Sequence, residues 1–408
     1  MSQADWDRLQ YYSRKVKTFK VLQPNLYIPK VHPSTYVLFP SLRHLRVYCN
    51  LGDTSSCSLS FFLFLSSPLE SLEFHHIRGF EDTIVGPFLA SLSSQTLSHI
   101  VFCDGQMSAD ILIKSIVHFK HLRSLELSDA IFMVDFDLWE VLGTLPSLEI
   151  LTLEANDPTS HPAHAHKNSN SQSGGPKYFE ALKSLSVEGS FFFIQHLLGF
   201  IDSPCLKSID VSPVMNHVHD PNSADHFNRS MTIVASKWSQ SLKHLVIDSS
   251  SAHRPAISKY LMLLTNLHEI QTFHLTDHGM KIMDDDVRRL AMSWPNLRTL
   301  SLPLKRTLIS LTTLGIIAEN CPELRYLDIR LDASTIPPFD TSSKSFGHKL
   351  EVLTIGKIGP YSTPECQIQV ALHLNLIFPY LKTIKVRPSD VTTGHALVKL
   401  FQDARQVK

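Results

Sequence analysis

One pattern recurs along this chain of 408 residues and limits what it can fold into: a leucine, two variable residues, a second large apolar residue, one variable residue and a third apolar residue. It reads LRHLRV from Leu42, LESLEF from Leu69, LSHIVF from Leu97, LRSLEL from Leu122, LEILTL from Leu148, LKSLSV from Leu182 and LKSIDV from Leu206. The series continues as LKHLVI from Leu242, a weaker LHEIQT from Leu267, LRTLSL from Leu297, LRYLDI from Leu324, LEVLTI from Leu350 and LKTIKV from Leu381. The first leucines of these thirteen copies are 24 to 36 residues apart, about 28 on average. A coiled coil would repeat every seven residues, and a domain without repeats would show no fixed spacing at all.

Alternation within L-x-x-L-x-L describes a short strand that turns its apolar residues to one side and its variable residues to the other. Between strands the apolar spacing changes to i, i+3, i+4, as in Ala109 to Phe119, Asp137 to Leu145, Phe191 to Ile201, Asp286 to Trp294 and Leu311 to Glu319, and predicts helices. One strand-plus-helix unit cannot bury both faces alone, so units must stack. The expected fold is an α/β leucine-rich-repeat solenoid, a horseshoe with a concave parallel sheet and convex helices. Prolines at Pro68, Pro146, Pro295, Pro322 and Pro379 end helices just before the next strand. The run Asp284-Asp285-Asp286 falls where a helix begins and reads as N-terminal capping rather than a metal site.

Residues 1–22 are expected to form an N-terminal helix and capping strand, 23–390 the repeats, and 391–408 a C-terminal capping helix. Two long spacings mark loop insertions near 156–176 and 213–227. The first is rich in Ser, Asn, Gly and Pro. Both carry histidines, His161, His164 and His166 in one and His217, His219 and His226 in the other, which read as loop residues because a metal site needs fixed geometry.

Composition narrows the function. Lys plus Arg and Asp plus Glu both number 38, so no overall basic field favours nucleic acid or an anionic membrane. The N-terminus lacks the apolar stretch of a signal peptide, and the six cysteines form no CxxC pair; a cytoplasmic or nuclear location with reduced thiols is expected. No phosphate loop, nucleophile elbow or H-E-x-x-H helix occurs, so neither an enzyme nor a cofactor is expected.

Function is therefore expected on the concave sheet, where thirteen strands at ~4.8 Å would give an inner arc of roughly 60 Å, long enough for a folded protein partner. The fifth position of the unit mixes signs (Arg46, Glu73, Glu126, Asp210, Asp328, Lys385), which suits a protein better than a uniform polyanion. The second position is basic in eight copies (Arg43, Arg123, Lys183, Lys207, Lys243, Arg298, Arg325, Lys382) and opposed by Glu70, Glu149 and Glu351. Stacking would align these as a basic ridge along one edge of the sheet.

The units LRYLDI after Cys321-Pro322-Glu323 and LRTLSL after Trp294-Pro295-Asn296 resemble the C-P-x-L-x-x-L-x-L units of F-box/leucine-rich-repeat proteins. The opening segment, Asp5 to Leu9 and Tyr11 to Lys17, is similar to the stretch that follows the F-box in the F-box-like family of mushroom-forming fungi. That resemblance implies a substrate receptor of a cullin-RING (SCF-type) ubiquitin ligase, its repeats presenting the substrate. No L-P-x-E-[IL] helix triplet precedes the repeats, so the resemblance assigns adaptor binding to no residue; a Skp-type adaptor is expected only where an F-box lies upstream. Trp6, Leu9, Tyr12 and Val16 are expected to form an apolar stripe on the first helix.

Overall fold

All but one of the L-x-x-L-x-L segments form short strands, and within each unit neighbouring strands pair parallel because a helix or loop carries the chain back between them. The computed structural model describes residues 3–21, 39–48, 68–76, 85–92, 96–103, 109–128, 136–155, 177–214, 223–249, 261–277, 282–302, 307–337, 348–358, 364–386 and 401. The chain divides into two units, Met1–Phe193 with Phe200–Cys205, and Ile194–Gly199 with Leu206–Lys408.

Among the described residues of the first unit seven strands follow in sequence order, β1 (Thr18–Val21), β2 (His44–Tyr48), β3 (Ser71–His75), β4 (His99–Cys103), β5 (Ser124–Ser128), β6 (Ile150–Glu154) and β7 (Ser184–Gly189). Its helices are α1 (Gln3–Ser13), α2 (Gly86–Ser91), α3 (Ala109–Ile116) and α4 (Phe136–Gly143), while α5 (Phe191–Phe200) has residues in both units. The second unit holds β8 (Ser208–Pro213), β9 (His244–Ser249), β10 (Thr272–Asp277), β11 (Thr299–Ser301), β12 (Ile309–Ser310), β13 (Tyr326–Asp332), β14 (Val352–Ile358) and β15 (Thr383–Val386). There β12 lies off the main order and pairs with β13. The helices here are α6 (Ser223–Lys237), α7 (Asp284–Ser293), α8 (Leu311–Asn320) and α9 (Pro364–Ile377), with a 3-10 turn at Met262–Asn266. The fold is an α/β leucine-rich-repeat solenoid with an all-parallel, unclosed sheet.

The three apolar positions of the motif make the core. Leu122, Leu125 and Leu127 are wholly buried, as are Leu324, Leu327 and Ile329. Each such side chain contributes about 1.5–3 kcal/mol by leaving water, and a chain of identical positions adds this repeatedly. Large residues fill the space between strand and helix. Phe74 of β3 meets Phe88 of α2 edge-on, and Phe273 of β10 packs at 4.9 Å against Trp294, just past α7. The residues preceding the prolines fasten one repeat to the previous one. The Trp294 indole N–H donates to the Leu264 carbonyl (3.2 Å), and the Cys321 thiol to the Ala291 carbonyl (3.5 Å).

A backbone fork holds the stack in register. The carbonyl of the second residue in one copy accepts from the second and third N–H groups of the next. Arg43 thus accepts from Glu70 and Ser71 (2.8 and 3.0 Å), and Arg325 from Glu351 and Val352 (2.9 and 3.0 Å). This places the second-position side chains of adjacent copies one strand apart.

Two strands differ from the sequence expectation. Phe273 pairs with Leu245 and Leu275 with Ile247, so the repeat is IQTFHL from Ile270, three residues later than the LHEIQT frame. Leu267 and Ile270 are both wholly buried, and either could have begun the motif; the pairing puts Thr272 outward instead of in the core. The spacings on either side become 28 and 27 residues, closer to the repeat period. At the N-terminus, α1 stops at Ser13, and Val16 opens a further copy, VKTFKV, whose Phe19 and Val21 pair with Leu45 and Val47. The Lys17 carbonyl makes the same fork, accepting from Arg43 and His44 (2.8 and 3.0 Å). Val16 therefore belongs to a fourteenth copy, not to the stripe of α1, on which Leu9 and Tyr12 are exposed.

α7 begins at Asp284 as the acidic run predicts. Asp286 accepts from the Met283 N–H (3.0 Å), and Asp284 accepts from the Ser310 N–H of the next repeat (3.2 Å). In the 213–227 region, strand β8 runs to Pro213 and α6 starts at Ser223, with Phe227 buried. His226 lies on that helix, its Nδ1 donating to Gln195 Oε1 at 2.7 Å. Residues 156–176, and with them His161, His164 and His166, lie outside the described residues, as do His217, His219 and 391–408 apart from Phe401.

Candidate functional site

With the core positions turned toward the helices, the third and fifth residues of each six-residue unit face the open side of the sheet, and the second residue sits at the edge where the strand begins. In the first unit the second-position row is Lys17, Arg43, Glu70, Ser98, Arg123, Glu149 and Lys183. Its acids are spent on their neighbours. Arg43 pairs with Glu70 one strand away, and Lys183 Nζ lies 2.9 Å from Glu149. The Glu149 carboxyl is held below its ordinary range by the hydrogen bond from Lys183, then by the charges of Lys183 and Arg123. In the second unit the row is Lys207, Lys243, Gln271, Arg298, Arg325, Glu351 and Lys382. Lys382 Nζ is 3.3 Å from Glu351, whereas no carboxylate among the described residues forms an ion pair with Lys207, Lys243, Arg298 or Arg325. Exposed pairs of this sort are screened by water and stabilise the fold little, so their main effect is on the charge a partner meets.

The fifth-position residues fall into different surroundings. Arg46 Nε is 2.8 Å from Glu73 Oε2, and that oxygen is 3.6 Å from His75 Nε2. Glu126 accepts from the Ser128 hydroxyl (3.4 Å). Asp210 is half-buried. Its carboxyl is pushed up by burial and by the nearby charge of Asp248, against an opposing pull from His274. Lys385, on β15, is exposed. Asp328 departs from the expectation of an outward contact residue, being 8% exposed and accepting from the Ser301 hydroxyl at 3.3 Å. Ser301 and Thr354, its fifth-position neighbours, are buried with it, so over β11, β13 and β14 this row is covered.

The open face of the first unit also gathers a group the charge pattern did not single out. Lys20 Nζ sits 4.5 Å above the Tyr48 ring, and Tyr48 stacks on His75 with ring centres 4.5 Å apart. Lys20 is the fifth residue of the VKTFKV copy, and Tyr48 and His75 each follow the last motif residue of theirs. Reading that copy and one further residue per strand would have found them. On β10, His274 Nε2 is 2.7 Å from the Thr276 hydroxyl. His244, at the third position of its six-residue unit and the start of β9, is pulled below its ordinary value by burial and by Lys243.

The class these rows define is a repeat solenoid that displays side chains strand by strand on an open sheet. Among solved structures, the chain is similar to an internalin from Listeria monocytogenes strain 4b F2365, with 13% identity, 87% of this chain and 89% of that one covered, and a TM-score of 0.38. The yeast complex of Rad7 and Elc1 gives 14% identity, 95% and 89% coverage and a TM-score of 0.40. A Bacteroides fragilis protein gives 12% identity, 86% and 66% coverage and a TM-score of 0.29. No protein-family model matches the chain, and no curated protein does.

Proposed function

We propose that this chain is a protein-interaction module whose open strand face receives a polypeptide partner. The observation that carries this reading is the regular display itself. Consecutive parallel strands present third- and fifth-position side chains of mixed sign about 4.8 Å apart, on a backbone that the second-position forks hold rigid. Seven strands in the first unit extend such a surface over roughly 30 Å, the scale of a protein contact rather than a small molecule. At its N-terminal end, Arg46 and Tyr48 belong to the residue types that dominate protein interfaces. Quantitative affinity purification tests the reading. A genuine partner is retained by the native chain and by Met292→Glu, which alters an exposed residue of α7. It is lost from the double variant Arg46→Glu with Tyr48→Ala, and equal recovery from all three chains rules the open face out.

A finer form of this reading, supported by the C-P-E-L and W-P-N-L units, is the substrate-recognition repeat domain of an F-box-like component of an SCF-type ubiquitin ligase. In that case a Skp-type adaptor and a cullin co-purify with the full natural protein and the partner becomes ubiquitinated. Recovery of the same partner without adaptor or cullin assigns the chain instead to repeat scaffolds unrelated to ubiquitin.

A further inference from the structure

We infer that the strand-entry edge of the second unit, from Lys207 to Arg325, is a docking track for an acidic polypeptide segment of the partner. The inference rests on the protein-interaction reading above and names the chemistry of what is bound. Its basis is a stretch of the second-position row whose cations form no ion pair among the described residues and have no carboxylate in the row between them. In the second-position row, Glu70, Glu149 and Glu351 are each committed to a basic neighbour, Arg43, Lys183 and Lys382. Between β8 and β13 the row holds no acid. The corrected register of β10 places the uncharged Gln271 between Lys243 and Arg298.

Hydroxyl and imidazole groups flank the track. The third-position residues of the same strands are Ser208, His244, Thr272, Thr299 and Tyr326, of which His244 is exposed and the others are partly buried. Cations beside neutral hydrogen-bonding groups suit carboxylates, which accept from both. The track is also narrow. On the sheet side it is bounded by Asp210 and Asp248, and on the turn side by Glu323, whose carboxyl is held below its ordinary range by Lys349 first and then by Arg325 and Arg298. A nucleic-acid backbone, broader and uniformly negative, would meet these carboxylates, whereas one polypeptide strand would not. Four strand steps of about 4.8 Å from Lys207 to Arg325 span ~19 Å, the length of about six extended residues.

The test measures binding of a fluorescent poly-glutamate peptide to the full chain by anisotropy at low and physiological salt. An uncharged Gly-Ser peptide and a single-stranded oligonucleotide serve as comparison probes. The native chain is expected to bind poly-glutamate with an affinity that falls with salt, and to bind the other two more weakly. Reversal of Lys207, Lys243, Arg298 and Arg325 to Glu is expected to weaken binding about tenfold or more. Matched reversal of Arg43, Lys183 and Lys382 is expected to leave it nearly unchanged. Melting curves establish that each variant folds, and the milder pair Lys243→Gln with Arg325→Gln, expected to weaken binding severalfold, replaces the reversal if it does not. Unchanged affinity in the track variants, equal loss in the control, or tighter binding of the oligonucleotide overturns the inference. Should poly-glutamate fail to bind while a partner is still captured through Arg46 and Tyr48, the docking track falls and the protein-interaction reading stands.

Discussion

Phe273 of β10 lies directly beside Leu245 of β9, and this one pairing sets which side of the strand faces the core through the whole repeat. A slip to the alternative frame would turn Thr272 inward and Phe273 outward, because side chains alternate with a period of two. Thr272→Lys is therefore expected to change stability by no more than about 0.5 kcal/mol, as at an ordinary surface position. Phe273→Lys removes a wholly buried ring and leaves an unpaired charge, at a cost of roughly 3 kcal/mol or more. Denaturant unfolding of the two variants checks this, and a larger loss from Thr272→Lys would refute the register.

Leu125 and Leu327 occupy the same motif position, one in each unit, and both are wholly buried. Replacing either with Asp is expected to destabilise the adjoining repeats by several kcal/mol, since the carboxylate has no partner in an apolar layer. Hydrogen exchange should show the loss spreading to the neighbouring strands first, because each repeat touches mainly its neighbours. A melting curve like that of the native chain would contradict the assignment.

His348 is buried at the turn leading into β14. Its Nδ1 accepts from the Leu350 N–H (3.1 Å), which leaves the proton on Nε2 to be donated to the Cys321 carbonyl (2.8 Å). A second proton would have to sit on Nδ1, against that N–H. Burial pulls the group below its ordinary value of 6.5, outweighing the upward pull of the Cys321 carbonyl and Glu323. The unfolded chain therefore takes up the proton first on acidification. The stabilising effect of the neutral ring is complete above pH 6.5 and is lost as pH falls from 6.5 toward the lower folded value. His196, His244 and His373 are shifted the same way by burial. Melting temperature should drop between about pH 7.5 and 5.5, and His348→Gln should flatten that drop. Identical pH dependence in the variant would remove His348 as a contributor.

Cys205 is exposed, while Cys321 is buried, donates to the Ala291 carbonyl and has its thiol pushed up to about 12 by burial. Only the thiolate reacts appreciably with alkylating reagents. In the native protein, alkylation mapped by mass spectrometry should modify Cys205 and spare Cys321 until denaturant is added. Early modification of Cys321 would show that this repeat opens locally.

Most strand positions, most helices and the core residues of the motif could be read from the chain, because alternation and helical spacing are local and repeat about every 28 residues. Leu42, Leu125 and Leu327 needed no partner to be recognised. The copy VKTFKV was harder to find, since it has no leucine and is identified by the pairing of Phe19 and Val21 with Leu45 and Val47. The frame at Ile270 was ambiguous for a related reason. Leu267, Ile270, Phe273 and Leu275 satisfy two overlapping readings, and only the ladder to β9 chooses between them.

The candidate surface was legible as residue types but not as charge. The sequence by itself placed eight basic residues in one row. The tertiary structure decided which of them meet a carboxylate, because Glu70, Glu149 and Glu351 reach cations 27, 34 and 31 residues away in the chain but one strand away in space. It also decided that Asp328 lies buried against Ser301. Local periodicity fixes what a residue's own strand does with it; neutralisation and covering depend on the neighbouring strands, which only the stacked backbone brings within reach.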